Sequence, residues 1–176
     1  MENQISSKRD VDKAIDIIRD AGGEIVGRTR LQKIAYLLEL AGMGGGFPFE
    51  YRHYGPYSED LALAVRNACI LGLIDEEERP ASWGGVYSIY RLKPSGEASG
   101  ANDRAGLVQK VVHADPIELE LAATAAFLST QGYDNPWVET AKRKPDKAQG
   151  NRLEKAKDLY KALNQVSTPT ALPAIS

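Results

Sequence analysis

The sequence predicts a mainly α-helical protein with a small antiparallel sheet, an α+β fold. Apolar residues recur at the i, i+3, i+4, i+7 spacing of amphipathic helices over residues 7–21, 28–41 and 58–72. Val86–Leu92 is the strongest strand signal in the chain, and Gly84-Gly85 just before it suits a hairpin turn. Helices therefore come first, and a two-stranded hairpin follows them.

Glycines mark the ends of the first two helices, as expected for residues that tolerate left-handed caps. The first helix is predicted from about Ser7 to Ala21, before Gly22-Gly23. The second begins near Arg28 and ends before a glycine-rich segment at residues 42–46. Its predicted core-facing residues are Leu31, Ile34, Ala35 and Leu38.

An aromatic strand and a tight turn are predicted to lead into the third helix. Phe47–Tyr54 has the aromatic composition of a short strand, and Gly55-Pro56 supplies the turn. Ser58 is a candidate N-cap, and Glu59 and Asp60 then lie where the helix dipole favours negative charge.

The remaining elements of the first half complete a recognisable order. Asp75–Arg79 is an acidic strand, Pro80–Gly85 is the hairpin tip, and Val86–Leu92 is the return strand. Helix, helix, strand, helix and hairpin is the order of a winged helix-turn-helix. We assign residues 1–97 to this domain.

Beyond residue 97 the composition changes to alanine-rich helices, so residues 98–166 form a predicted helical extension. A short helix spans Ala105–His113, and Asp115-Pro116 starts the next one with an N-cap and a proline at the first position. Asn135-Pro136 opens another helix, and a last helix follows Pro145. Residues 167–176 are predicted to be a disordered tail.

Several short motifs resemble known bacterial families. Leu31–Lys33 with Tyr36–Leu38, and Tyr54–Ser58, resemble the SocA-like, or Panacea, domain. With Leu71–Ile74 they give an LQK…YGPYS…GLI pattern similar to a group of uncharacterised bacterial proteins. Tyr90–Gly96 is similar to the Y-x-L-T-x-x-G run that closes the wing of MarR and PadR-like regulators, with lysine in place of the usual threonine. The resemblance covers roughly residues 10–97. The SocA-like family is associated with antitoxins that neutralise toxin partners.

Composition narrows the classes of function. Charged residues make up 26% and hydrophobic residues 43% of the chain, as in ordinary soluble globular proteins. The net charge of -2 argues against coating nucleic acid by charge alone. No stretch approaches the ~20 apolar residues of a membrane span. We expect a cytoplasmic protein, in which the single cysteine, Cys69, is buried in a helix.

The candidate binding residues are basic side chains at one end of the second helix, basic and aromatic side chains of the following strand and turn, and one arginine of the third helix. The third helix is the recognition element expected in a winged helix. That helix opens with Glu59 and Asp60, which would repel phosphate. The tyrosines near the turn either pack that turn on the helices or form an exposed patch for a protein partner. The candidate site residues are Arg28, Arg30, Lys33, Arg52, His53, Tyr54, Tyr57 and Arg66.

A second basic region lies near the end of the chain. Its members are Lys142, Arg143, Lys144, Lys147, Arg152, Lys155, Lys157 and Lys161, interspersed with Glu139, Asp146, Glu154 and Asp158. Charges of both signs at helical spacing predict a solvated face with i,i+4 pairs. Contact with nucleic acid or an acidic partner is the alternative.

No enzymatic chemistry is predicted. His53 and His113 have no neighbouring cysteine or histidine at metal-ligand spacing. No Gly-Lys-Ser/Thr follows Gly44–Gly46, so these glycines are not a phosphate loop. Strand alternation splits the carboxylates of Asp75–Glu78 between two faces. We therefore predict no catalytic residues, no metal and no cofactor, and a hydrolase or nuclease is a remote alternative.

Two functions are compatible with these features. The first is a non-catalytic protein-binding module on a winged-helix fold, such as an antitoxin-like or phage-defence accessory protein. The second is a DNA-binding winged-helix transcriptional regulator, in which the C-terminal helices form a homodimer. The weak recognition helix favours the first.

Overall fold

A computed structural model describes residues 2–94 and 103–176, with side chains from residue 9 onward. Seven helices and five strands lie within these ranges. The helices are α1 Glu2–Asp20, α2 Arg28–Leu40, α3 Glu59–Ile70, α4 Asp103–Val112, α5 Pro116–Thr130, α6 Pro136–Arg143 and α7 Arg152–Leu163. The strands are β1 Glu24–Val26, β2 Glu50–Arg52, β3 Gly55–Tyr57, β4 Ile74–Pro80 and β5 Val86–Leu92.

The predicted α+β class, with a small antiparallel sheet, is confirmed. Strands β4 and β5 form the predicted hairpin, and β1 adds to the other side of β5 in the order β1-β5-β4. Strand β1 was not predicted, because its three residues are too few to show strand alternation. The tip of the β4–β5 hairpin carries Trp83, which is 77% exposed.

Residues 47–57 differ from the prediction of one strand and a turn. Strand β2 covers only Glu50–Arg52, and the chain returns as β3 in a separate two-stranded sheet. We call residues 50–57 the tyrosine hairpin. Gly55 has a φ of 86°, which L side chains rarely adopt, and it opens the returning strand. Tyr51 packs on Phe127 of α5 with ring centroids 5.9 Å apart, which holds the hairpin against the helices.

Two of the predicted helix caps are present. The Ser58 hydroxyl accepts a hydrogen bond from the Leu61 amide at 3.3 Å. The Asp115 carboxylate accepts from the amides of Ile117 and Glu118 at the start of α5. Helix α1, in contrast, begins at Glu2, several residues before the predicted start.

The helices of the second half pack directly on α2. Buried apolar residues of α1, α2, α3, α4, α5 and α7 belong to one continuous core. Every residue of α2 from Leu31 to Leu38 is buried, because other elements surround this helix on all sides. The predicted boundary at residues 97 and 98, and the glycine that ends the wing-like motif, lie outside the described residues.

The prediction of disorder for residues 167–176 is wrong. The Thr170 amide donates to the Ala41 carbonyl at 3.0 Å, and the Tyr160 hydroxyl donates to the Pro173 carbonyl at 2.7 Å. Leu172 is 5% exposed. A short proline-containing segment looks disordered in sequence, but here it covers apolar surface that the helices leave open.

The structure also bears on the expectations about membrane spans and about Cys69. None of the described helices is long and apolar enough to cross a membrane. Cys69 is half-buried at the edge of the core instead of fully buried, and burial raises the pKa of its thiol.

Candidate functional site

The acidic strand neutralises the first candidate, Arg28. Its guanidinium lies 2.8 Å from the carboxylate of Glu76 and 2.7 Å from that of Glu78 on β4. Asp75 instead pairs with Lys93. Strand alternation therefore splits the acidic run between two faces, as the sequence predicts. Arg28 is exposed, but its charge is already matched.

Arg30, a predicted binding residue, is half-buried and has a structural role. Its guanidinium donates to the carbonyl oxygens of Val112 at 2.7 Å and Ala114 at 2.6 Å, at the C-terminal end of α4. Carbonyl groups at the end of a helix lack partners within the helix. Arg30 supplies those partners and joins α2 to the second half of the chain.

Lys33 is not a surface residue, because it is only 1% exposed. Its ammonium nitrogen donates to the Pro56 carbonyl at 2.7 Å. Burial, and then the nearby charges of Lys144 and Lys147, lower the pKa of Lys33 to about 7, against the opposing effect of Glu120. Its neighbour Gln32 bonds both the amide and the carbonyl of Ser58.

Three lysines surround one buried carboxylate beneath the tyrosine hairpin. Glu120 of α5 is 3% exposed, and its oxygens lie 2.7 Å from the ammonium groups of both Lys144 and Lys147. Lys144 also donates to the His53 carbonyl at 2.9 Å, and burial lowers the pKa of its ammonium. We call Lys33, Glu120, Lys144 and Lys147 the lysine cluster.

The lysine cluster fixes the backbone of the hairpin from two sides. Lys33 holds the carbonyl of Pro56, and Lys144 holds that of His53. The hairpin is also packed closely against α5 at Gly55. A Cβ at this position would lie 2.6 Å from the Thr124 hydroxyl oxygen. That hydroxyl is buried without a hydrogen-bond partner among the described residues.

Above the cluster, the hairpin and the end of α6 form an aromatic and cationic surface. The Arg143 guanidinium lies 4.9 Å from the ring centroid of Tyr51 and 5.2 Å from that of Tyr133. The Lys147 ammonium lies 4.7 Å from the ring of Tyr54, which is 53% exposed. We call this the tyrosine surface, and its members are Tyr51, His53, Tyr54, Tyr133, Arg143 and Lys147.

The other candidates lie beside this surface. Arg52 pairs with Glu50 and Glu59, and its guanidinium lies 4.7 Å from the ring of Tyr57. Arg66 lies on the exposed side of α3, and no described carboxylate is within ion-pair distance of it. The structure thus brings Arg52, His53, Tyr54 and Tyr57 together in the tyrosine hairpin, with Lys33 buried beneath it. Arg28 and Arg30 instead contact β4 and the end of α4.

Part of the second basic region belongs to the site, which the prediction of a solvated face did not anticipate. Lys144 is only 6% exposed, and Lys147 pairs with the buried Glu120. One signal was available. Glu120 lies between Leu119 and Leu121, at the start of an apolar run of α5, and a buried carboxylate requires cationic partners. The described residues contain no group of three or more histidine, cysteine and carboxylate side chains that could hold a metal ion.

Comparison with known proteins gives one distant relative. The chain is 33% identical over 95 residues to YwgA, an uncharacterised protein of Bacillus subtilis (strain 168). The match covers 54% of this chain and 55% of that protein, so the chain spans about half the length of the curated relative it matches. No protein-family model matches the chain. No solved structure matches it.

Proposed function

We propose that this chain is a non-catalytic protein-binding module on a winged-helix fold, antitoxin-like in action and cytoplasmic, and that its partner binds the tyrosine surface. The observation that carries the proposal is the exposure of Tyr54, 53%, and Tyr133, 42%, beside Arg143 and Lys147. Tyrosine and arginine are enriched in the parts of interfaces that contribute most binding free energy.

The rigidity of the hairpin supports this role. Two lysines hold its backbone, Gln32 holds Ser58 directly after it, and Tyr51 packs on α5. A surface that is already ordered loses little conformational entropy when a partner binds. The tyrosine hairpin is therefore preorganised to present Tyr54.

Charge placement favours a protein partner over DNA. In a winged helix, α3 would enter the major groove, and the β4–β5 hairpin would contact the backbone. The exposed face of α3 begins with Glu59 and Asp60 and carries the apolar Leu63 and Ile70. Arg28, beside the hairpin, is paired with two glutamates. These features oppose phosphate binding.

The test compares partner binding and DNA binding in one set of variants. The chain is purified with its partner from its own host, and the affinity of the reconstituted pair is measured by calorimetry. We expect Tyr54→Ala and Arg143→Ala each to weaken binding at least about tenfold, as for central interface residues. Trp83→Ala, at an even more exposed aromatic on the β4–β5 hairpin, is the control.

Two results would contradict the proposal. One is full affinity in both Tyr54→Ala and Arg143→Ala, with folding verified by circular dichroism. The other is tight binding of duplex DNA whose affinity falls steeply with salt and is lost in Arg66→Ala, because that pattern indicates phosphate contacts from α3.

A further inference from the structure

The outward side of α3 carries a stripe of exposed residues that no described element covers. Leu63 is 52% exposed and Ile70 is 76% exposed. Glu59 and Arg66 are exposed on the same side of the helix. Successive members are separated by four, three and four residues, the spacing that keeps side chains on one helix face. Apolar and charged residues alternate along this stripe.

The two charges of the stripe are opposite in sign and symmetric about Leu63. Glu59 lies one turn before Leu63, and Arg66 lies one turn after it. Arg66 has no described carboxylate within ion-pair distance, whereas Arg28, Arg52 and Arg91, elsewhere in the first half of the chain, are all paired. The stripe therefore has an apolar residue, Leu63, at its centre. Arg66 has no ion-pair partner among the described residues, and Glu59 is already paired with Arg52.

We propose that α3 is the interface of a homodimer with two-fold symmetry, in which the α3 helices of two copies pack antiparallel. When the axis passes beside Leu63, antiparallel pairing places Glu59 of each copy opposite Arg66 of the partner subunit. The two Leu63 side chains then meet at the axis. A two-fold interface requires a self-complementary surface, and this charge order satisfies that requirement.

The same stripe is a poor fit to other occupants. Nucleic acid would meet Glu59 and Asp60 at the start of the helix. Other registers of the antiparallel pair leave the two Arg66 side chains near each other or near Leu63, without opposite charges in contact. The complementary register is therefore the one we assign, and it leaves the tyrosine surface available for another partner.

The interface is small, so association is expected to be weak. One 12-residue helix per subunit buries less than the roughly 800 Å² per partner of a standard interface. Sedimentation velocity from about 5 µM to about 500 µM is expected to show a reversible monomer–dimer equilibrium.

A charge exchange tests the register. Glu59→Arg and Arg66→Glu each place like charges opposite one another, and each is expected to weaken dimerisation at least about tenfold. The double variant restores opposite charges and is expected to regain the original affinity within about threefold. Lys142→Glu changes an exposed lysine near the end of α6 and is the control. A chain that is monomeric at all concentrations, or a double variant as weak as the singles, would overturn the proposal.

A covalent test does not depend on the charges. In a Cys69→Ser background, Leu63→Cys is expected to form a disulfide-linked dimer under mild oxidation, because the two side chains meet at the axis. Val138→Cys, exposed to a similar degree on α6, is expected to stay monomeric. Equal cross-linking of the two variants would count against the proposed axis, and so would DNA binding that masks Leu63→Cys from thiol labelling.

Discussion

The ammonium nitrogen of Lys33 lies 2.7 Å from the carbonyl oxygen of Pro56, so a residue at the centre of the protein holds the hairpin that we assign to partner binding. Lys144, more than a hundred residues later, holds the carbonyl of His53 in the same hairpin. The proposed binding surface therefore depends on both halves of the chain.

The first prediction concerns Lys33 and pH. Its pKa is about 7 in the folded protein and near 10.4 in an unfolded chain, so the unfolded state binds more protons between these values. The lysine thus adds stability as pH rises through this window, up to about 1.4 kcal/mol per pH unit, and it adds no pH dependence below pH 7. Lys33→Met, compared with the native chain by urea unfolding at several pH values, is expected to lose this rise.

Comparing Lys33→Met with the native chain isolates the protonation of Lys33. Glu120, Lys144 and Lys147 surround Lys33 and are present in both proteins. Lys33→Met also removes the bond to Pro56, which shifts its stability by a roughly constant amount. Stability curves that stay parallel across the window would show that Lys33 does not change its protonation there.

The second prediction concerns Glu120. Glu120→Gln removes the carboxylate that pairs with Lys144 and Lys147 and leaves their charges without it in a buried site. Removing one member of a buried ion pair costs about 3–5 kcal/mol, and we expect a loss of that size in the free energy of unfolding. Glu154→Gln, which breaks the exposed pair with Lys157, is the control and should change stability by under about 1 kcal/mol. Similar losses in both variants would contradict the role of the cluster.

The third prediction separates close packing from backbone conformation at Gly55. Gly55→Ala places a Cβ 2.6 Å from the Thr124 hydroxyl oxygen and also strains a backbone with φ of 86°. Gly84→Ala, with φ of 88° and open space around it, carries the backbone strain alone. We expect Gly55→Ala to be the more destabilising by about 1–3 kcal/mol. Adding Thr124→Ala should recover part of the loss, and strictly additive effects would show that the contact is absent.

The fourth prediction concerns Arg30. Arg30→Met is expected to lower the free energy of unfolding by about 2–3 kcal/mol, because the carbonyls at the end of α4 lose a charged donor. Arg66→Met, on the exposed face of α3, should change the stability of the monomer by less than about 0.5 kcal/mol. Both are measured at low protein concentration. Faster amide exchange confined to α4 in Arg30→Met would identify the cap as the cause.

The fold class and most helix starts could be predicted because they depend on local chemistry. Ser58 and Asp115 cap helices through bonds to residues two or three positions away. The β4–β5 hairpin follows from alternation and glycine turns. These signals are complete within a short stretch of sequence.

The site was harder to predict because its contacts join distant residues. Helical spacing places Lys33 off the apolar stripe of α2, but α5 and the hairpin cover that side as well. Arg30 similarly finds its partners more than eighty residues away. Nothing in the local pattern distinguishes these two side chains from the exposed Arg28. Only Glu120, which lies between two leucines at the start of an apolar run, indicated buried ionic contacts.

The two tryptophans give the protein a built-in pair of optical reporters. Trp83 lies in solvent at the tip of the β4–β5 hairpin, whereas Trp137 is 4% exposed and stacks edge-on against Tyr160. Emission from the buried indole should shift to the red only when the core opens, while soluble quenchers should reach the other indole in the native state. A ligand touching the hairpin tip and a ligand loosening the core would therefore leave different fluorescence signatures, without any added dye.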